Sequence, residues 1–185
     1  MEKTQGETIW IPSPQRIKSS NMHIFLHKMA QDHKINPDWK SLYEWSINSS
    51  EDFWRSVEEF VKIKWITKKP HIYSPPPHGK ILGAQWFKEN YLNFCENIIP
   101  PPSEKNIITC YYENQKKKTI TAKELHLKVS RLSNWLRSSG LQKGDIAAGI
   151  LRNTIDTIIY MLATTACGGV WSSCSPDFGV KAILN

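Results

Sequence analysis

No apolar run in the sequence comes near the ~20 residues needed to span a bilayer, which excludes a transmembrane helix. Neither G-x-G-x-x-G nor G-x-x-x-x-G-K-[ST] occurs, so the two familiar phosphate-cradling loops are missing. The four cysteines, Cys95, Cys110, Cys167 and Cys174, form no C-x-x-C, and none is matched with a histidine at zinc-ligand spacing. The N-terminus lacks the charged, apolar and small-residue grammar of a signal peptide. Unpaired thiols without a leader point to a reducing, cytoplasmic setting, where the Asn48-Ser49-Ser50 sequon has no meaning. Cys167 and Cys174 stand in apolar company and are expected to be buried free thiols.

Acidic residues are the minority, 17 against 24 lysines and arginines, which leaves a net charge of +7. Such a balance permits anionic partners, but the charge is spread along the chain. Its one dense cluster, Lys116-Lys117-Lys118, lies between two extended segments and reads as a solvated hairpin turn. Eight tryptophans argue against disorder. They sit in or beside apolar stripes, Trp54 with Phe53 and Trp86 with Phe87, so core packing is expected instead of base stacking, and no nucleic-acid partner is predicted.

The chain changes grammar near Pro102. Residues 1–102 are rich in Trp, Pro and Lys. "NMHIFLHKMAQDHK" puts Met22, Phe25, Leu26 and Met29 on one helical face. "SSEDFWRSVEEFV" begins with serines fit to cap a helix and carries Phe53, Trp54, Val57, Phe60 and Val61 as a stripe. "YSPPPHGK" and "ENIIPPPSEK" then interrupt regular structure.

Residues 103–185 read as α/β. "IITCYYE" is a strand by composition. Thr121 and Glu124 form a capping box ahead of a helix whose Ala122, Leu125, Val129, Leu132 and Leu136 recur at spacings of three and four. Gly140 is placed to end it. "IAAGIL" predicts a strand buried on both faces. A second helix follows, capped by Asn153, with Ile155, Ile158, Ile159, Leu162, Ala163 and Ala166 inward and Gly168 as its stop. "VWSSCS" is the next strand. Strand, helix, strand, helix, strand predicts a parallel sheet with right-handed crossovers.

A parallel sheet binds its ligand beyond the carboxyl ends of its strands, here "LRN" and "SSCSPDFG". Neither is a phosphate loop. Ser172, Ser173, Cys174 and Ser175 have no G-x-S-x-G elbow and no marked histidine partner, His126 being the nearest in sequence, so small polar residues lining a turn is the preferred reading. His23 and His27, at i and i+4, have metal-binding spacing, but a zinc protease needs Glu where Ile24 stands; the pair reads as a helix flank and no metal site is assigned.

"WIPSPQRIKSSNMHIFLHKM", "LYEWSINSSEDFW", "QWFKENYLNFCENII" and "GGVWSSCSPDFGVKAIL" resemble, in that order, the N-terminal portion of the AMP-forming acyl-CoA synthetases, and the last resembles their acetoacetate-activating branch in particular. The resemblance runs from about Trp10 onward. It implies a helical N-terminal extension (1–102) followed by the first βα repeats of a parallel-sheet, adenylate-forming domain (103–185). It also implies ligation of acetoacetate to CoA with ATP cleaved to AMP and diphosphate, and Mg2+ beside the phosphates. The phosphate loop, the magnesium-side Thr-Glu pair, the ribose-binding Asp and the C-terminal lysine of that family are absent, so no catalytic residue is assigned in this chain. By position, Ser175, Pro176 and Asp177 correspond to a turn lining the family's CoA channel, while a helix-initiating turn explains the same residues without a ligand. The expectation is a truncated or split ligase whose catalytic part lies downstream, with that part as a candidate partner and no membrane association. The alternative is a non-catalytic remnant or interaction module.

Overall fold

The computed structural model describes residues 9–76, 82–114 and 116–184. In chain order the helices are α1 (Pro14–Lys18), α2 (Asn21–His33), α3 (Trp39–Asn48), α4 (Ser50–Val61), α5 (Phe94–Ile98), α6 (Ala122–Ser138), α7 (Ile155–Ala166) and α8 (Val180–Leu184). The strands are β1 (Trp65–Thr67), β2 (Tyr73–Ser74), β3 (Gln85–Trp86), β4 (Tyr91–Leu92), β5 (Asn106–Tyr111), β6 (Lys117–Thr121), β7 (Ile146–Ile150) and β8 (Val170–Cys174). They fall into two compact units, Met1–Ile63 with Lys69–Glu89, and Lys64–Lys68 with Asn90–Asn185.

The first unit is helical. Phe25, Met29 and Leu42 are buried, and Leu26, Trp45, Phe53, Val57 and Phe60 pack around them. The α2 and α4 stripes therefore point inward as their periodicity predicts, with three exceptions. Met22, Trp54 and Val61 stay exposed. Ser49 occupies the α4 cap position without a side-chain hydrogen bond, and Ser50 Oγ turns back to the Ser46 carbonyl. Part of the "YSPPPHGK" break, residues 77–80, lies outside the described residues. None of the eight tryptophans is fully buried. Trp54 and Trp86 meet edge to face at 6.3 Å with both rings partly in solvent, so these indoles line the core instead of filling it.

The second unit is built on α6 and α7. Thr121 and Glu124 close both halves of the capping box: the Thr121 N–H donates to Glu124 Oε2 at 2.9 Å, and the Glu124 N–H to Thr121 Oγ1 at 3.1 Å. Leu125, Val129, Ile155, Ile159, Leu162 and Ala163 are buried between the helices, with Ile120 and Cys95. Each fully buried aliphatic side chain contributes about 1.5–3 kcal/mol. Thr154, not Asn153, caps α7, and it does so without a side-chain bond. At the far end Gly168, at φ +80°, donates to Thr165 while the Gly169 N–H reaches Thr164. That pair of bonds satisfies two orphan carbonyls through a left-handed residue, a geometry glycine adopts without strain. Gly140 ends α6 in the same way.

Three expectations for the strands are corrected. β5 does not join the parallel sheet; it pairs antiparallel with β6 as a hairpin. Glu113 and Asn114 are in the turn, and Lys117 and Lys118 pair within β6 opposite Tyr111 and Cys110, because Asn114 supplies the turn chemistry that the lysines lack. The parallel pairing is β7 with β8, in register from Ile146↔Val170 to Ile150↔Cys174. These strands are only half-covered: Ala147 and Gly149 are half-buried, whereas Ile146, Ala148 and Ile150 are exposed. The α7 helix contacts β8, and among the described residues no layer covers the other side. Cys167 and Cys174 are likewise half-buried; Cys95 is the buried thiol, and all four are free.

Candidate functional site

The carboxyl ends of β7 and β8 open into a cleft of about 810 Å³. Three segments build it. The hairpin tip contributes Tyr111, Tyr112, Glu113 and Asn114; the turn after β7 contributes Arg152, Asn153 and Thr154; the turn after β8 contributes Ser175, Pro176 and Asp177. Parallel pairing places the two turns side by side, because both strands run toward the same end. The Leu151 N–H extends the ladder to the Cys174 carbonyl at 3.3 Å, so the Arg152 and Ser175 turns leave the sheet together.

The turn after β8 is ordered by its own side chains. Ser175 Oγ–H donates to Asp177 Oδ2 at 2.8 Å, and the Asp177 N–H donates back to Ser175 Oγ at 3.3 Å. Phe178 N–H closes on the Ser175 carbonyl at 3.2 Å. This is the hydroxyl-stabilised turn that begins a helix, and α8 follows. On the opposite wall the Cys110 thiol donates to the Asn153 carbonyl at 3.9 Å. A side-chain hydrogen bond with Cys110 is the main cause that raises the Tyr112 phenol above its ordinary pKa, so this phenol stays a neutral donor across the physiological range. The cleft thus offers one guanidinium, two carboxylates, two phenols, two side-chain amides and hydroxyls.

Ser172 and Ser173 are exposed on β8, Cys174 is half-buried, and His126 sits elsewhere, its Nε2–H donating to the Pro100 carbonyl at 2.6 Å. No serine–histidine pair arises from these residues. The sequence reading named Ser175, Pro176 and Asp177 but missed the hairpin tip. Two tyrosines after an alternating strand signal β structure, yet which strand end they would flank depends on the pairing of β5 with β6. Among the described residues no group of three or more histidine, cysteine or acidic side chains is placed to hold a metal ion, and no helix is long and apolar enough to cross a membrane.

Residues 39–98 match the family described as acetyl-coenzyme A synthetase N-terminus, and residues 101–185 that described as AMP-binding enzyme. Acetoacetyl-coenzyme A synthetase of Rhizobium meliloti is 30% identical over 96% of this chain and 27% of the relative. Acetoacetyl-CoA synthetase of Gallus gallus is 30% identical over 100% of this chain and 28% of the relative. The solved acetoacetyl-CoA synthetase from Streptomyces lividans superposes with a TM-score of 0.84 at 30% identity, covering 97% of this chain and 28% of that structure. The chain spans about a quarter of the length of the relatives it matches. Over nearly its whole length the chain is therefore similar to the N-terminal portion of acetoacetyl-CoA synthetases, and its residues 101–185 carry the match to the AMP-binding enzymes.

Proposed function

We propose that the chain supplies the N-terminal portion of an AMP-forming acetoacetate–CoA ligase, with 1–102 as the extension and 103–185 as the opening of the ligase domain. The observation that carries this reading is the 30% identity and TM-score of 0.84 with the Streptomyces lividans enzyme over 97% of the chain. A change of family match between residues 98 and 101 supports the division. Four free thiols support a cytoplasmic site of action.

In such a ligase ATP and Mg2+ supply the adenylation chemistry. This chain carries none of the sequence motifs that hold them, so its own part is binding. The cleft's donor set suits a phosphorylated, polar ligand such as CoA. Arg152 offers charge to a phosphate, the Tyr111 and Tyr112 rings offer flat apolar faces, and the Ser175–Asp177 turn shapes the wall. Ser175 and Asp177 position the chain at the mouth of α8 and do not touch reacting atoms in this reading.

The test is a chimera in which this chain replaces the corresponding N-terminal segment of the Streptomyces lividans enzyme. It should form acetoacetyl-CoA from acetoacetate, ATP and CoA. Ser175→Ala and Asp177→Ala should raise KM for CoA about tenfold, the loss of one hydrogen bond, while acetoacetate-dependent pyrophosphate exchange stays unchanged. The chain by itself should show no such exchange, for lack of groups to stabilise the transferred phosphoryl charge. A folded chimera that makes no thioester, or robust exchange by the chain alone, would overturn the reading.

A further inference from the structure

We propose that His23 and His27 form a two-point chelating site on the flank of α2 for a first-row transition-metal dication of the Cu2+ or Ni2+ class. On an α-helix, positions i and i+4 stand one above the other on one face. The structure brings the two imidazoles together, with ring centroids 4.1 Å apart and planes inclined at 60°. Among the described residues neither ring has a hydrogen-bond partner, His23 bonding only through its backbone N–H, so the ring nitrogens of both are open to a metal.

The helix that presents them is held from both directions. Its start is fixed by the His23 N–H donating to Ser20 Oγ at 3.2 Å. Its opposite face buries Phe25 and Met29, and Phe25 packs edge to face on Phe60 at 5.1 Å. Chelation therefore costs little ordering of the backbone. The adjacent cation, Lys28, is engaged with Asp32 one turn on, which reduces its repulsion of an incoming dication.

The chemistry selects the metal. Imidazole nitrogen suits Cu2+, Ni2+ and Zn2+, and affinity within that series favours copper over nickel. Two protein ligands leave the remaining positions to water, which does not meet the four-ligand demand of a structural zinc site. The same spacing occurs in H-E-x-x-H, where the glutamate acts as the base; Ile24 stands in its place here, so the pair binds without activating water for hydrolysis.

The full chain, free of any affinity tag, is titrated with NiCl2 by calorimetry. One Ni2+ per chain should bind. His23→Ala and His27→Ala should each weaken binding by roughly a hundredfold, because the second imidazole acts at high effective concentration. His71→Ala removes an imidazole outside the pair and should leave affinity within about twofold. Ni2+ should also raise Tm of the native chain and not of His27→Ala, since a ligand stabilises only the state that binds it. His23→Asn and His27→Asn repeat the test with polar side chains, and far-UV circular dichroism verifies the helix. Absence of Ni2+ binding, or a single-variant loss of about twofold or less, would show two independent imidazoles and overturn the site.

Discussion

Gly149 lies where the indole of Trp171 crosses β7. A Cβ built there would stand 2.5 Å from Trp171 Cη2 and 2.9 Å from Leu151 Cδ1. Gly149→Ala should therefore destabilise the chain by about 1–3 kcal/mol, the usual cost of overpacking. Gly179→Ala, whose Cβ would meet nothing within 4 Å, serves as the control and should move the urea midpoint little. Glu124 sets a second expectation at this scale. The Thr121 backbone N–H and then the Thr121 side chain hold its carboxyl below the ordinary glutamate value. A folded pKa lowered in this way adds stability above the unfolded pKa, and that contribution disappears as pH falls through the folded one. The Tm advantage of the native chain over Glu124→Gln should be present at neutral pH and shrink on acidification below the glutamate range. A pH-independent difference would assign the effect to shape alone.

At the scale of elements, α6 and α7 hold the second unit together. Leu162 is 2% exposed between them, and Leu162→Ala should cost about 2–5 kcal/mol in chemical denaturation, while Leu127→Ala, on the solvent face of α6, should cost under about 0.5 kcal/mol. These two helices were legible in the sequence almost residue by residue. Their signals are local: a capping box, a 3.6-residue period, a glycine stop. The α7 start was misread because Asn153 is the stronger capper by type, yet the chain turns one residue later and leaves Asn153 to the cleft. The strands were harder. An apolar run says that a strand forms, not what covers it, and β7 reads as buried on both faces although Ile146 is 70% exposed. Nor does "IITCYYE" reveal that its partner is the next strand, which is why the hairpin wall of the cleft, Tyr111 and Tyr112, went unseen while the strand-end turns were found.

At the scale of the whole chain, apolar side chains gather on the uncovered face of the parallel pair: Ile146 at 70%, Ile150 at 55% and Val170 at 50% exposure. Contiguous apolar surface of this kind attracts dyes and other chains. The 185-residue chain should bind ANS, and Ile146→Thr with Ile150→Thr should lower both the dye signal and self-association without lowering the unfolding midpoint. An unchanged dye signal in that double variant would locate the sticky surface elsewhere. The pairing of β7 with β8 also sets an order of events during synthesis. The β5–β6 hairpin closes over a few residues and can form in microseconds once its second strand exists. β7 has no such neighbour in time, because its parallel partner begins roughly two dozen residues later, beyond α7. At a ribosomal rate of about 5–20 residues per second, the strand spends on the order of one to five seconds without its ladder, with Ile146 and Ile150 already made. The same connection that lets two turns meet around one cleft thus leaves the nascent chain with an apolar strand to shelter, and makes the interval between Ile150 and Val170 the period in which a holding chaperone would matter most to this protein.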